Sequence, residues 1–155
     1  MKRVILSLTA MLLATVGARA ALVCTVSTSG AAFGAFNPLA GQAADTTGTI
    51  SVTCIGLPLS TTGYTITIAS GLGSFAARKM VSGSDNLTYN LYKDSAFTQV
   101  WGDGSGSTFT VTDSVTIPLS LSITTNYVVY SRIVSGQNMA KAHTYSDNPL
   151  ITITY

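Results

Sequence analysis

The side chains here with chemistry to offer are two cysteines, one histidine and six acidic residues, all of them aspartate. A nucleophile–histidine–acid triad needs an activated serine within reach of His143, and no Gly-x-Ser-x-Gly elbow occurs. His143 sits in a polar stretch and is expected on the surface. A glycosidase needs two carboxyls facing one sugar. Asp94, Asp103, Asp113 and Asp147 instead stand beside glycine, serine or asparagine, where aspartate serves turns through its backbone hydrogen bonds. Asp103-Gly104-Ser105-Gly106 offers calcium a lone carboxylate, which is too few. Zinc has no ligand set once the cysteines pair. Gly71-Leu72-Gly73-Ser74 lacks the spacing and the following helix of a phosphate loop. The expectation is no catalytic residue, no metal and no cofactor.

Cys24 and Cys54 therefore point to structure rather than reaction. The N-terminus explains why. Lys2 and Arg3 precede an apolar run, Val4 to Val16, of about 13 residues, which is short for a membrane span. Ala18-Arg19-Ala20 supplies a small-x-small cleavage site, so residues 1–20 are predicted to be a signal peptide for Sec export and 21–155 the mature domain. An uncleaved anchor is the alternative; lipid attachment at Cys24 is disfavoured by the bulky Leu22-Val23 before it. Small exported domains usually pair their cysteines. Cys24 shares strand parity with Leu22 and Val26, and Cys54 with Ile50 and Val52, so both sulfurs face a core and a bridge is sterically reasonable. Two free buried thiols are the alternative.

Removing the signal also changes the charge. The whole chain carries 8 Lys/Arg against 6 Asp/Glu. Without Lys2, Arg3 and Arg19 the cations fall to 8 − 3 = 5, a balance of 5 − 6 = −1. The mature domain has no basic stripe, so a nucleic-acid partner is not expected. Its polarity comes from threonine, serine and glycine, a composition that favours strands over helices.

The elements that hold these residues read as short strands. They are Ala21–Ser27, Thr49–Cys54, Tyr64–Ala69 and Leu87–Lys93, with alternating apolar residues, and Asn126–Ile133, whose Tyr127-Val128-Val129-Tyr130 run suggests cover on both faces. Thr108–Val111 and Ser114–Leu121 read as a hairpin around Thr112-Asp113, with Pro118 marking an edge or a bulge. Arg78-Lys79-Met80 starts a short strand or sits on a sheet rim. Phe33 and Phe36, among turn formers, are expected to cap one end of the core. The fold class is all-β, an antiparallel immunoglobulin-like or jelly-roll sandwich, with a closed barrel as the alternative.

The last stretch organises the rest. Leu150, Ile151, Thr152, Ile153, Thr154 and Tyr155 alternate, with Ile151, Ile153 and Tyr155 on one face. Chain ends fray unless they are paired or packed. This one is expected to be clamped in a sheet, by its own fold or by another chain adding a strand.

Several pieces then form an ordered set: Cys24 followed by Phe33-Gly34; Gly48 to Cys54; Leu87-Thr88-Tyr89-Asn90-Leu91-Tyr92; Trp101-Gly102; Tyr130-Ser131-Arg132-Ile133; Gln137; and Tyr145-Ser146-Asp147 leading into Ile151–Tyr155. In this the chain resembles the spore coat protein U family, which includes subunits of archaic chaperone–usher pili. Ser131 stands where that family tends to have glycine, and Lys141-Ala142-His143-Thr144 replaces a more glycine-rich approach to the tyrosine. The resemblance implies an incomplete immunoglobulin-like sandwich lacking one strand. A periplasmic chaperone lends that strand, an outer-membrane usher assembles the fibre, and neighbouring pilus subunits complete one another by strand donation. It implies that Leu150 to Tyr155 pair with the chaperone, and that the product is a structural or adhesive surface fibre supporting attachment and biofilm formation. A donor segment needs about ten alternating residues ahead of the first cysteine; only Ala21-Leu22-Val23 remain after cleavage, so a terminal position is expected. The alternatives are a stand-alone secreted coat or matrix protein, and a carbohydrate-binding sandwich using Trp101, Tyr92 and the 102–107 loop as a platform.

Overall fold

The structure, a computed structural model, describes residues 22–155; the expected signal peptide lies outside the described residues. Eight strands follow in chain order: β1 (Val23–Thr28), β2 (Ala44–Ile55), β3 (Thr61–Ile68), β4 (Arg78–Ser82), β5 (Asp85–Tyr92), β6 (Val111–Thr116), β7 (Ser122–Ile133) and β8 (Ile151–Thr154). A 3-10 turn at Pro38–Ala40 is the one helical element among the described residues; the Asn37 side chain caps it by accepting from the Leu39 amide. The strands make a five-stranded sheet, order β1-β2-β7-β5-β4, and a three-stranded sheet, order β6-β3-β8. Every pairing is antiparallel. The fold is an immunoglobulin-like all-β sandwich.

Alternation decides which faces meet. Ile50, Val52 and Cys54 from β2, Tyr64, Ile66 and Ile68 from β3, and Leu87, Tyr89 and Leu91 from β5 are all buried in one shared core. Burying each such side chain stabilises the fold by roughly 1.5–3 kcal/mol. Their sequence neighbours are largely hydroxyls on the outer faces. Thr53 and Thr124 hydrogen-bond across β2 and β7 at 2.8 Å, and Thr61 and Thr116 do so across β3 and β6 at 2.8 Å. Phe33 meets the Tyr89 ring edge-on and Phe36 also packs on the core, so both rings cap it as expected.

Two local expectations are corrected. Thr112-Asp113 is no hairpin turn: β6 runs straight through it, with Asp113 opposite Tyr64. Pairing along β3 overrides the turn preference, and the Asp113 carboxylate finds a partner in the Tyr127 hydroxyl at 2.6 Å. Strand β7 is central, yet its outer face is covered only in part: the Phe97 ring lies against Tyr130 and Arg132, while Val128 is 47% exposed. Arg78 opens β4, the edge strand of the larger sheet, in keeping with the expected short strand, but its side chain does not face solvent. It is fully buried.

Ser131 lies inward on β7, and its hydroxyl is buried without a hydrogen-bond partner. An orphaned buried hydroxyl costs about 1–3 kcal/mol, so its removal is not expected to harm the fold. Ser131→Ala should leave the urea midpoint unchanged or raise it. A clear drop would mean that the hydroxyl has a partner.

Candidate functional site

The two sheets are joined unequally along their long edges. Beyond β5, residues 99–109 bridge them: the Trp101 amide donates to Leu91 O at 2.9 Å, and Gly102 O accepts from the Ile68 amide at 3.1 Å. Trp101 is buried and donates its indole N–H to Ile66 O at 3.2 Å. At the opposite margin, among the described residues, β1 pairs only with β2 and β8 only with β3. No backbone hydrogen bond joins β1 to β8 among the described residues. Each therefore turns an unpaired strand edge toward the other across a seam.

Apolar side chains line this seam. A groove of about 250 Å³ runs between Val26–Thr28 and Asn148–Ile151. Beside it lies a cavity of about 130 Å³ with core residues as its floor. Ile151 and Ile153 are half-buried toward the core, while Thr152 and Thr154 face solvent. Leu150 is 70% exposed and Tyr155 53% exposed. The terminal stretch thus keeps one edge and much of its apolar surface free.

Local interactions set both banks. On one, Cys24 and Cys54 stand directly opposite in the β1–β2 register, Cα atoms 4.1 Å apart, and are joined as a disulfide. This staples an edge strand to the strand it pairs with. On the other, the 134–149 connection carries the chain from the larger sheet to β8. Gln137 mimics a strand there, its amide accepting from the Thr88 N–H at 2.6 Å and donating to Thr88 O at 2.8 Å. Asp85 holds Lys141 at 2.9 Å and His143 at 3.3 Å. Ser146 and Val81 form a short bridge, and Leu150 O accepts from the Ala69 amide at 2.8 Å. The Tyr89 hydroxyl donates to the Asp147 carboxylate at 2.8 Å. Burial, then that hydrogen bond, pushes the Tyr89 pKa well above its ordinary value.

Arg78 clasps the two sheets from inside. From β4 it donates to Trp101 O at 2.8 Å, to Ala69 O at 3.0 Å and to the Asn90 side chain at 2.6 Å. The Ala69 carbonyl belongs to the end of β3 where β8 begins, so the guanidinium fixes the bank against which β8 is laid. Burial lowers the Arg78 pKa, and nearby Tyr89 and Asp147 oppose that shift.

The structure brings Cys24 and the terminal stretch to opposite banks of one seam. It separates the residues of the sugar platform, since Trp101 is 1% exposed and cannot stack on a ligand. Asp103 and Asp94 turn inward on their own loops, accepting from Ser105 and from Thr98 and Gln99. Sequence reasoning missed Arg78, Gln137 and Asp147 as organisers of the seam, because each acts through partners far along the chain. It also missed a cluster at one end of the sandwich. Leu57 and Leu59 follow β2, Leu119 and Leu121 follow β6, and all four are 47% exposed or more. The two connections are tied by Gly56 N to Leu121 O at 3.2 Å and Leu59 N to Ile117 O at 2.7 Å. Leu59 and Leu121 both hold positive φ, 60° and 67°, a conformation that bulky residues rarely adopt.

Comparison with known proteins places this geometry among relatives. The family described as Spore Coat Protein U domain matches residues 9–154. No curated protein matches the chain in sequence. Among solved structures, the chain is similar to one chain of the CsuC–CsuE chaperone–tip adhesion subunit pre-assembly complex, from the archaic chaperone-usher Csu pili of Acinetobacter baumannii. The TM-score is 0.58 at 19% sequence identity, over 87% of this chain and 40% of that one. The chain thus spans less than half of the matched chain.

Proposed function

Because the chain belongs to the Spore Coat Protein U domain family, we propose that it is a structural and adhesive subunit of a chaperone–usher surface fibre. The open seam between β1 and β8 carries this reading. An unpaired sheet edge with apolar flanks invites an added strand, which would satisfy its N–H and C=O groups and cover its isoleucines. The donor would first be a periplasmic chaperone, then another subunit during assembly at the outer-membrane usher. The route is export by the signal at residues 1–20, folding and oxidation in the periplasm, and display at the cell surface. Leu150 to Tyr155 form the pairing edge.

Co-expression with a periplasmic chaperone tests the seam. The oxidised chain should co-purify with it, and Ile151→Asp with Ile153→Asp should cut the recovered complex at least about tenfold, since each charge would enter an apolar contact. A chain that stays monomeric and soluble alone, and takes no chaperone, sinks the proposal.

Adhesion, and with it biofilm formation, has its own support in the exposed leucines at the tied loops. Residues 55–63 and 117–126 contain no charged side chain, so this end is an apolar, uncharged tip of the kind that marks contact sites. Replacing Leu57, Leu59 and Leu119 by serine should reduce attachment of fibres to an apolar surface by at least about tenfold, with fibre length unchanged. Equal attachment would remove the adhesive role and leave the structural one.

A further inference from the structure

We infer that the sandwich has a second bare margin, between β6 and the first half of β7, and that the Asp113 carboxylate bars it to incoming strands. Where the seam accepts a strand, as proposed above, this bar confines strand addition to the seam; the bar itself does not depend on that reading.

Residues 99–109 bridge the margin beyond β5 along only part of its length. Strand β5 ends at Tyr92 and pairs with residues 130–133 of β7, so among the described residues the 122–129 half of β7 has no strand on that side. Across from it, β6 pairs only with β3, and no backbone hydrogen bond joins β6 to β7 among the described residues. The flanks are apolar: Val111 and Val115 of β6, and Ile123 and Tyr127 of β7, all belong to the core or pack against it. Bare edges with apolar flanks are what an added strand needs.

Asp113 breaks that pattern. It stands opposite Tyr64 in the β3–β6 register, so its side chain shares the inward face with that buried ring. Between Val111 and Val115 it takes the middle of three inward positions. Its carboxylate reaches across the margin to accept from the Tyr127 hydroxyl at 2.6 Å, and the Tyr127 and Tyr64 hydroxyls bond to each other behind it. The Ser114 amide donates to its other oxygen at 2.7 Å. These bonds, Tyr127 first, hold the carboxyl below the usual carboxylate range, so it is charged at neutral pH. Among the described residues no cation lies within salt-bridge distance of it. As the domain stands, Asp113 is exposed and water solvates that charge. A strand laid along β6 would set an inward side chain directly against the carboxylate and displace that water. Covering an unpaired charge is costly, so an apolar strand of the kind that suits Ile151 and Ile153 is refused here. Lys93 adds to the bar at one end, donating to Thr110 O at 3.1 Å just ahead of β6.

The test uses the oxidised full chain and a synthetic ten-residue peptide of alternating threonine and valine, kept below the concentration at which it self-associates. Amide exchange reads each edge separately, residues 151–154 for the seam and 111–116 for the second margin. In the parent chain the peptide should slow exchange at 151–154 and leave 111–116 unchanged. In Asp113→Val it should also slow 111–116, by at least about tenfold. Asp113→Asn, nearly isosteric, should do the same, and it covers the case in which valine disturbs the margin. Slowing at 111–116 in the parent, or none there in either variant while 151–154 respond, overturns this inference and leaves the strand-accepting seam intact. A margin that asparagine closes as well as aspartate overturns it too, because the charge is then not the bar. Slowing at 111–116 in the variants with none at 151–154 in any chain sustains the bar and sinks the seam. If neither edge responds in any chain, both readings fall.

Discussion

Arg78→Leu should cost the fold about 3–5 kcal/mol, a large share of the roughly 5–15 kcal/mol that holds a domain together. Replacing a buried ion pair by apolar residues is often harmless, because both charges leave together. Arg78 is a different case. Its partners are the Trp101 and Ala69 carbonyls and the Asn90 side chain, none of which leaves with it. Each buried acceptor stripped of its donor costs about 1–3 kcal/mol. Arg78→Lys should recover little, since one ammonium cannot span acceptors set around a planar fork. The loss should extend to the seam, because Ala69 hydrogen-bonds to Leu150 just ahead of β8. Urea unfolding reads the stability, and amide exchange of residues 151–154 reads the seam. A midpoint shift equivalent to less than about 1 kcal/mol would show that the acceptors find water instead.

The second large effect belongs to the disulfide. Cys24 and Cys54 are 30 residues apart in sequence. Opening a loop of that size should lower stability by about 3–4 kcal/mol on the chain-entropy estimate. The position sharpens the consequence. The bridge ties β1 to the only strand that pairs with it, so Cys24→Ser with Cys54→Ser should loosen one whole bank of the seam. In the oxidised protein both cysteines are buried, 6% and 0% exposed, so mild reductant should act only after partial unfolding. The measurement is urea unfolding of the double variant against the oxidised parent. Equal midpoints, with unchanged exchange of the β1 amides, would show that the bridge is dispensable.

Much of this fold was legible because strands declare themselves two residues at a time. Ile50, Val52 and Cys54 alternate with hydroxyls, and that local period alone places three side chains, the Cys54 sulfur among them, in the core. The terminal Ile151, Thr152, Ile153 and Thr154 announce a strand by the same rule. Thr112-Asp113 misled, because a two-residue turn preference is weak beside a ladder of backbone hydrogen bonds to β3, a strand some fifty residues earlier. The strand that Arg78 opens was legible, but its burial was not, for a related reason. A charged residue near turn formers looks like a rim, and only carbonyls supplied by Ala69 and Trp101 make its burial tolerable.

By itself, then, the order of amino acids determined most of the strands, their inward faces and the family, and made the cysteine pair reasonable, since each of these is written in nearest-neighbour alternation or in short ordered pieces. Which edges remain open was decided only by the assembled sheets. One margin is bridged by residues 99–109, while β1 and β8 face each other without a shared hydrogen bond. Whether two edges meet depends on how distant strands are laid side by side, and no local pattern carries that information. The same holds for the pocket beside β8 and the leucine tip, both assembled from segments that are strangers in sequence.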